Sequence, residues 1–282
     1  MHTLKQRLKT ISERVGIRHR LKASFVYDAY WTIVDRQLIE AKRKELSFYR
    51  SLLEGFHPRD LVFDIGANHG TKTEIYLKLG ARVVAAEPDQ LNQDILREKF
   101  LKFRLSPKPV VIVGKAVSDR NATETMWVDG PGSALNTLSS KWVVTLREDK
   151  TRFQHTHNNL DFGVRKLVET TTLEQMIVEH GLPFFIKIDV EGHEASVLRG
   201  LNRPVPFLSF EVNLPEFRPE GLECLRLLEV LAPEGKFNFA SDCKNGLVMK
   251  EWLNAAQFAA VLKQCPEKSI DVFWKTNQPN RR

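Results

Sequence analysis

Residues 61–70 read Leu-Val-Phe-Asp-Ile-Gly-Ala-Asn-His-Gly, an apolar run that ends in a turn with glycines four apart. Five residues this apolar predict a buried strand, and the helical pattern of residues 74–79 behind the turn predicts a strand–turn–helix unit. Gly66 and Gly70 would let the backbone turn tightly and approach a ligand closely, where a side chain would stand in the way. Asp64, at the carboxyl end of the strand, is expected to point its carboxylate into the crevice where open α/β sheets bind ligands. A dinucleotide fingerprint would place glycine at position 68; Asn68 stands there instead, which argues against NAD. An acidic residue beside the turn suits a cationic ligand group better than a phosphate.

Working outward, Arg82-Val83-Val84-Ala85-Ala86-Glu87-Pro88-Asp89 reads as a second strand ending on an acid, 23 positions after Asp64. A carboxylate at Glu87 can accept hydrogen bonds from both ribose hydroxyls of an adenosine, whereas Glu87 taken singly would be an ordinary strand-end or helix-cap acid. A third apolar run, Val110-Val111-Ile112-Val113, leads through Gly114 and Lys115 into Ala116, Val117, Ser118 and Asp119. Apolar walls and backbone groups are what a purine requires, so Ala116 and Val117 would form its wall. Asp119 could reach an exocyclic amine, or it could simply initiate a turn. The fourth run, Phe185-Ile186-Lys187-Ile188-Asp189-Val190-Glu191-Gly192-His193-Glu194, ends in an acidic turn beside a histidine. Alternation places Lys187 and Asp189 on one face, and charges in so apolar a strand are costly unless paired or used at its end. A local Lys187–Asp189 contact would account for both, and Glu194 suits the first turn of a helix. His193 is the group here that titrates near neutral pH, which makes it a candidate base.

These runs belong to a longer alternation of strands and helices, which predicts a mostly parallel sheet covered on both faces. Strands are expected at 61–65, 82–87, 109–114, 184–190, 205–212, 236–240 with 247–250, and 270–275. Helices are expected at 74–79, 91–102, 173–180, 193–201 and 222–231. Residues 130–169 are the least regular part of the middle, an insertion of the kind that carries substrate contacts; Gly130-Pro131-Gly132-Ser133 reads as a turn within it. Ahead of the first strand, Leu4, Leu8, Ile11 and Val15 keep helical spacing among basic residues, and a second helical run covers 27–53. The domain division is therefore a basic helical extension at 1–56 and a catalytic domain at 57–282.

Charge and composition narrow the function classes. Residues 1–50 hold 12 Lys and Arg against 5 Asp and Glu, a surplus of +7 that equals the formal charge of the whole chain. The rest is formally neutral, so no basic groove for nucleic acid is expected in the catalytic domain. The basic segment at 1–20 suits an anionic membrane surface or a partner protein, although a helix packed on its own domain explains it as well. No stretch is apolar enough to span a membrane, no signal peptide is legible, and three cysteines without a CxxC pair fit a reducing, cytoplasmic setting. His155 and His157 lack a third ligand at metal spacing and read as a solvated loop, and Asp189 with Glu191 could begin a ligand set but has no obvious second acidic pair, so no metal site is expected.

FDIGANHG at 63–70, AEPD at 86–89, GKAVSD at 114–119, TTLEQM at 171–176 and IDVEGHEASVLRG at 188–200 together resemble the FkbM family of methyltransferases. The resemblance spans roughly residues 61–212. It implies a Rossmann-like class I methyltransferase fold, S-adenosylmethionine as cofactor, and O-methylation of a hydroxyl on a sugar, glycan or other natural product. It carries over Asp64, Gly66, Asn68, Gly70 and Glu87 as cofactor contacts, and puts Asp189 and Glu191 at the reaction site. With the reading of the residues, the expected cofactor pocket comprises Asp64, Gly66, Ala67, Asn68, Gly70, Glu87, Pro88, Ala116, Val117 and Asp119. The expected catalytic set is Asp189, Glu191 and His193. A nucleic-acid N-methyltransferase is the competing reading, because Asn213-Leu214-Pro215-Glu216-Phe217 is similar to an Asn-Pro-Pro-aromatic motif. That motif belongs after the fourth strand, where Asp189-Val190-Glu191-Gly192 stands instead. A binding module that has kept only the cofactor pocket is the third.

Overall fold

The apolar strand at 61–65 lies at the centre of a seven-stranded sheet in a computed structural model that describes residues 36–101, 110–149, 152, 160 and 162–276. In chain order the helices are α1 (Arg36–Leu52), α2 (Thr71–Lys78), α3 (Gln90–Lys99), α4 (Ser140–Glu148), α5 (Leu173–His180), α6 (Glu194–Arg199), α7 (Arg218–Leu231) and α8 (Ala255–Gln264). The strands are β1 (Leu61–Ile65), β2 (Arg82–Ala86), β3 (Val110–Val113), β4 (Ala116–Val117), β5 (Thr123–Val128), β6 (Val164–Thr171), β7 (Phe185–Ile188), β8 (Phe207–Asn213), β9 (Lys236–Ala240) and β10 (Ser269–Lys275). The large sheet runs β3-β2-β1-β7-β8-β10-β9, with β10 antiparallel to both neighbours and the other pairs parallel. A small sheet, β4-β6-β5, rises beside the carboxyl end of β3.

Period-two alternation sorts the core into two layers. Phe63, Ile65, Ile186 and Ile188 face a cluster that includes Trp142 of α4, Leu173 of α5, Val197 of α6, Leu225 of α7 and Phe258 of α8. Val62 and Phe185 face the opposite cluster, with Tyr49 of α1, Tyr76 of α2 and Leu96 of α3. Helix starts are fixed by side chains that take up otherwise unpaired amides. Asp89 accepts from the N–H groups of Leu91 and Asn92 at α3, Ser139 from Trp142 at α4, and Thr172 from Gln175 at α5.

Several elements differ from the sequence expectation. The apolar run at 247–250 is not a strand; Val248 donates one bond to Phe239 and the chain moves on. Residues expected to be irregular contain α4 and β6, and β5 precedes them. Most side chains of β6 are exposed, and β5 buries only Met126 and Val128, so neither shows the extended apolar alternation that betrays a half-buried strand. The N-terminal basic helix, His155 and His157 lie outside the described residues. Tyr49, Leu52 and Leu53, in the segment ahead of β1, are buried against the domain.

The α8 layer offers a test of the packing. Phe258 is fully buried and its ring stacks on Phe237 at a centroid distance of 5.7 Å. Phe258→Ala is expected to cost about 3–5 kcal/mol in urea unfolding; an unchanged midpoint would show that this ring does not hold α8 to the sheet.

Candidate active site

The site forms where the carboxyl ends of β1, β2 and β7 meet. Asp189 donates its N–H to the carbonyl of Ile65 at 3.0 Å, which draws the turn after β7 onto the turn after β1. Gly66 lies in that contact with φ of +78°, and a Cβ there would stand 1.8 Å from the carbonyl oxygen of Asp189. Only glycine fits, on both backbone and steric grounds. The amides of Gly66 and Ala67 both donate to the carbonyl of Ala86 at 3.0 Å, and Asn68 turns the chain at φ +47°, a conformation asparagine tolerates better than most residues. Glu87 then ties the turns together, accepting from Asn68 N–H and Asp89 N–H at 2.8 Å each.

Six of the expected pocket residues, Gly66, Asn68, Glu87, Pro88, Ala116 and Val117, line one cavity, and so do Asp189, Glu191 and His193. The other four stand elsewhere. Asp64 shares the face of Val62, so alternation sends its carboxylate under α2, where it accepts the hydroxyl proton of Thr73 rather than opening into the crevice. Ala67 packs in that same layer, and Gly70 abuts Leu96 of α3 and Phe100 just after it. Asp119 is off the cavity wall, beside Arg120.

Sequence reasoning missed Asn92, Asn136 and Thr137, which also line the cavity. Asn92 is buried at 1% exposure, and its Oδ1, like that of Asn68, has no hydrogen-bond partner. Buried acceptors without donors are uncommon in native proteins. Two of them on one cavity, beside a buried carboxylate and the apolar Ala116–Val117 wall, fit a ligand that brings its own donors and an apolar ring. A ribosyl purine has that composition.

Buried charge is concentrated below the cavity. Lys187, 2% exposed, pairs with Asp189 at 2.6 Å and is the register partner of Asp64. Burial would lower its pKa, but Asp189, Asp271 and Asp64 together raise it. Glu211 of β8 completes a group that was not legible in sequence, since one carboxylate oxygen from each of Asp189, Glu191 and Glu211 lies within 4.8 Å of the others. Burial pushes Glu211 up to about 8, with Asp189 and Asp271 adding repulsion against bonds from Ser269; burial, Glu211 and Asp189 likewise raise Glu191. Glu87 is pushed up to about 7 by burial, which outweighs its bonds from Asp89, Asn68 and Asn92. Glu194 closes the β7 turn by accepting from Val190 N–H and Gly192 N–H.

A sheet ordered 3-2-1-7-8-10-9 with one antiparallel strand, and a cavity at the ends of its central strands, is the class I methyltransferase fold. Residues 64–239 match the Methyltransferase FkbM domain, and the chain belongs to that family, with S-adenosylmethionine as its methyl donor. Over 49 residues the chain is also 47% identical to the ribosomal RNA small subunit methyltransferase A of Thermotoga petrophila, a match that spans 17% of this chain and 19% of that protein. Among solved structures it is similar to the precorrin-6y C5,15-methyltransferase of Geobacter metallireducens (TM-score 0.42, 10% identity, 84% of this chain and 87% of that one). It is also similar to a TehB-like methyltransferase of Corynebacterium glutamicum (TM-score 0.41, 8% identity, 83% and 88%).

The acidic group predicts a pH dependence. With Glu211 raised from 4.5 to about 8, the folded protein holds a proton that the unfolded chain has released. Its contribution to stability is full below about pH 4.5 and is lost as pH rises through about 8. Melting temperature should fall over that window, and Glu211→Gln should flatten the fall; parallel curves for the two proteins would contradict the assignment.

Proposed function

We propose that the protein transfers the methyl group of S-adenosylmethionine to a hydroxyl oxygen of a small-molecule, sugar or glycan acceptor. The observation that carries this reading is the placement of Glu87, Asn92 and the Ala116–Val117 wall on one cavity with Asp189, Glu191 and His193. Glu87 would hold the ribose hydroxyls, Ala116 and Val117 the purine, and Asn68 and Asn92 would offer their unpaired oxygens to ligand donors. Gly66 would give the donor access to the backbone, with Pro88 beside the ribose. Bound there, S-adenosylmethionine supplies a methyl carbon on a sulfonium whose C–S pair stays with sulfur when the carbon bonds to oxygen. The hydroxyl proton must then pass to a base on this chain, and Asp189, Glu191 and His193 are the candidates.

A nucleic-acid acceptor is less well supported. The Asn213-Leu214-Pro215-Glu216-Phe217 segment follows β8, while the turn after β7, beside β1, is Asp189–Gly192. The basic surplus of the chain also lies within residues 1–50, ahead of β1. We place residues 57–282 as the catalytic domain and 1–56 as an extension for association or location. No helix among the described residues is long and apolar enough to cross a membrane. Cys224, Cys243 and Cys265 are unpaired and buried, which supports a cytoplasmic setting.

Calorimetry tests the donor site without knowledge of the acceptor. S-Adenosylhomocysteine should bind and NAD should not; the reverse would overturn the reading. Two ribose donors favour the ionised form of Glu87, so affinity should rise from about pH 6 to about pH 8 with release of a proton. Glu87→Gln should remove that dependence, and Glu87→Ala should weaken binding by about 1–3 kcal/mol. An unchanged affinity in a folded variant would remove Glu87 from the ribose.

A further inference from the structure

The three candidate bases are not in equivalent surroundings. Asp189 is committed to Lys187 at 2.6 Å. Glu191 belongs to the carboxylate cluster with Asp189 and Glu211, where burial and its acidic neighbours raise its pKa. His193 stands apart at the amino end of α6, and its Nε2 lies 3.0 Å from Ser118 Oγ. Ser118 is 1% exposed, and its hydroxyl is also 3.1 Å from Glu124 Oε1 on β5.

That hydroxyl has one hydrogen. A carboxylate can only accept, so the hydrogen goes to Glu124, and the Ser118 oxygen is left to accept from His193. The proton on the imidazole is therefore on Nε2, and Nδ1 keeps its lone pair. Packing holds the arrangement in register. Gly200, at the far end of α6, is pressed so closely on the residue after β4 that a Cβ there would lie 2.5 Å from the Ser118 carbonyl oxygen. The Ser118 amide in turn donates to Thr171 of β6 at 2.8 Å. The α6 helix is thus seated on Ser118 at both ends, and the histidine lines the cavity.

We propose that Glu124 and Ser118 are positioning residues that fix His193 as the Nε2–H tautomer, so that its Nδ1 takes the proton of the acceptor hydroxyl. This rests on the methyl-transfer reading above. As the oxygen bonds to the methyl carbon, the O–H pair stays on oxygen and the proton passes to Nδ1, giving an imidazolium that returns the proton to solvent. The charged groups facing the ring suit a base that is neutral before the reaction. Burial pushes His193 down, Glu124 and Asp119 push it up, and Arg199 pushes it down, with a net lowering.

The test reads the ring directly. Long-range ¹H–¹⁵N spectra of histidine-labelled protein, assigned with His193→Gln, should show Nδ1 in the unprotonated range and Nε2 in the protonated range near neutral pH. Ser118→Ala and Glu124→Gln should each mix the tautomers, and Ser118→Thr should restore the single form. Diethyl pyrocarbonate should acylate His193 in the wild type, and S-adenosylhomocysteine should slow that modification. A wild-type ring protonated on Nδ1, or spectra unmoved in both Ser118→Ala and Glu124→Gln, would overturn the proposal. Glu124 is only part-buried, so its variant serves even if Ser118→Ala fails to fold. Calorimetry on the same wild-type sample separates the two readings: loss of S-adenosylhomocysteine binding with the expected tautomer would fault the methyl-transfer reading, and binding with the wrong tautomer would fault the relay.

Discussion

The contact between Gly66 and the Asp189 carbonyl sets the geometry on which the rest of the site depends. Two chain turns meet there backbone to backbone, with 1.8 Å between the oxygen and the place a Cβ would take. A side chain at 66 would push the β1 and β7 turns apart, and with them the two walls of the cavity. The turn after β1 is then held a second time by Glu87, through the amide of Asn68. An acid positioned by such bonds is fixed before any ligand arrives, so little rotamer freedom remains to be lost on binding.

Charge is arranged around that fixed point in two layers. Lys187 is buried among Asp64, Asp189 and Asp271, and each of these carboxylates compensates for the cost of removing an ammonium from water. Above it, the Asp189–Glu191–Glu211 group has more acids than cations to offset them, and burial with mutual repulsion raises the pKa of Glu191 and Glu211. The same desolvation acts on His193 in the opposite sense, because its charged form is the cation. One environment thus separates groups that hold protons from a group that is free to take one.

Much of this was legible in the sequence, for a physical reason. Strands β1, β2 and β7 are buried on both faces, so they appear as continuous apolar runs whose carboxyl ends can be read as site positions. Asp64 shows the limit of that reading, since the strand end names the residue but alternation decides the side, and one step of phase turned its carboxylate from the crevice to Thr73. Glu211, Asn92 and Ser118 depended on pairing across distant elements, which no local pattern records. Strand β6 was hidden by exposure, and β5 by burying only Met126 and Val128. Helix α8 carries its own local signal: Asn254 and Gln257 form a capping box, and Ala255, Phe258 and Leu262 keep helical spacing.

The most direct test of the account is a crystal structure with S-adenosylhomocysteine. The account predicts the ribose hydroxyls on Glu87, the purine against Ala116 and Val117, and a donor from the ligand or a ligand-bound water on Asn92 Oδ1. A nucleoside bound away from Glu87, with Asn92 Oδ1 still unpaired, would contradict it.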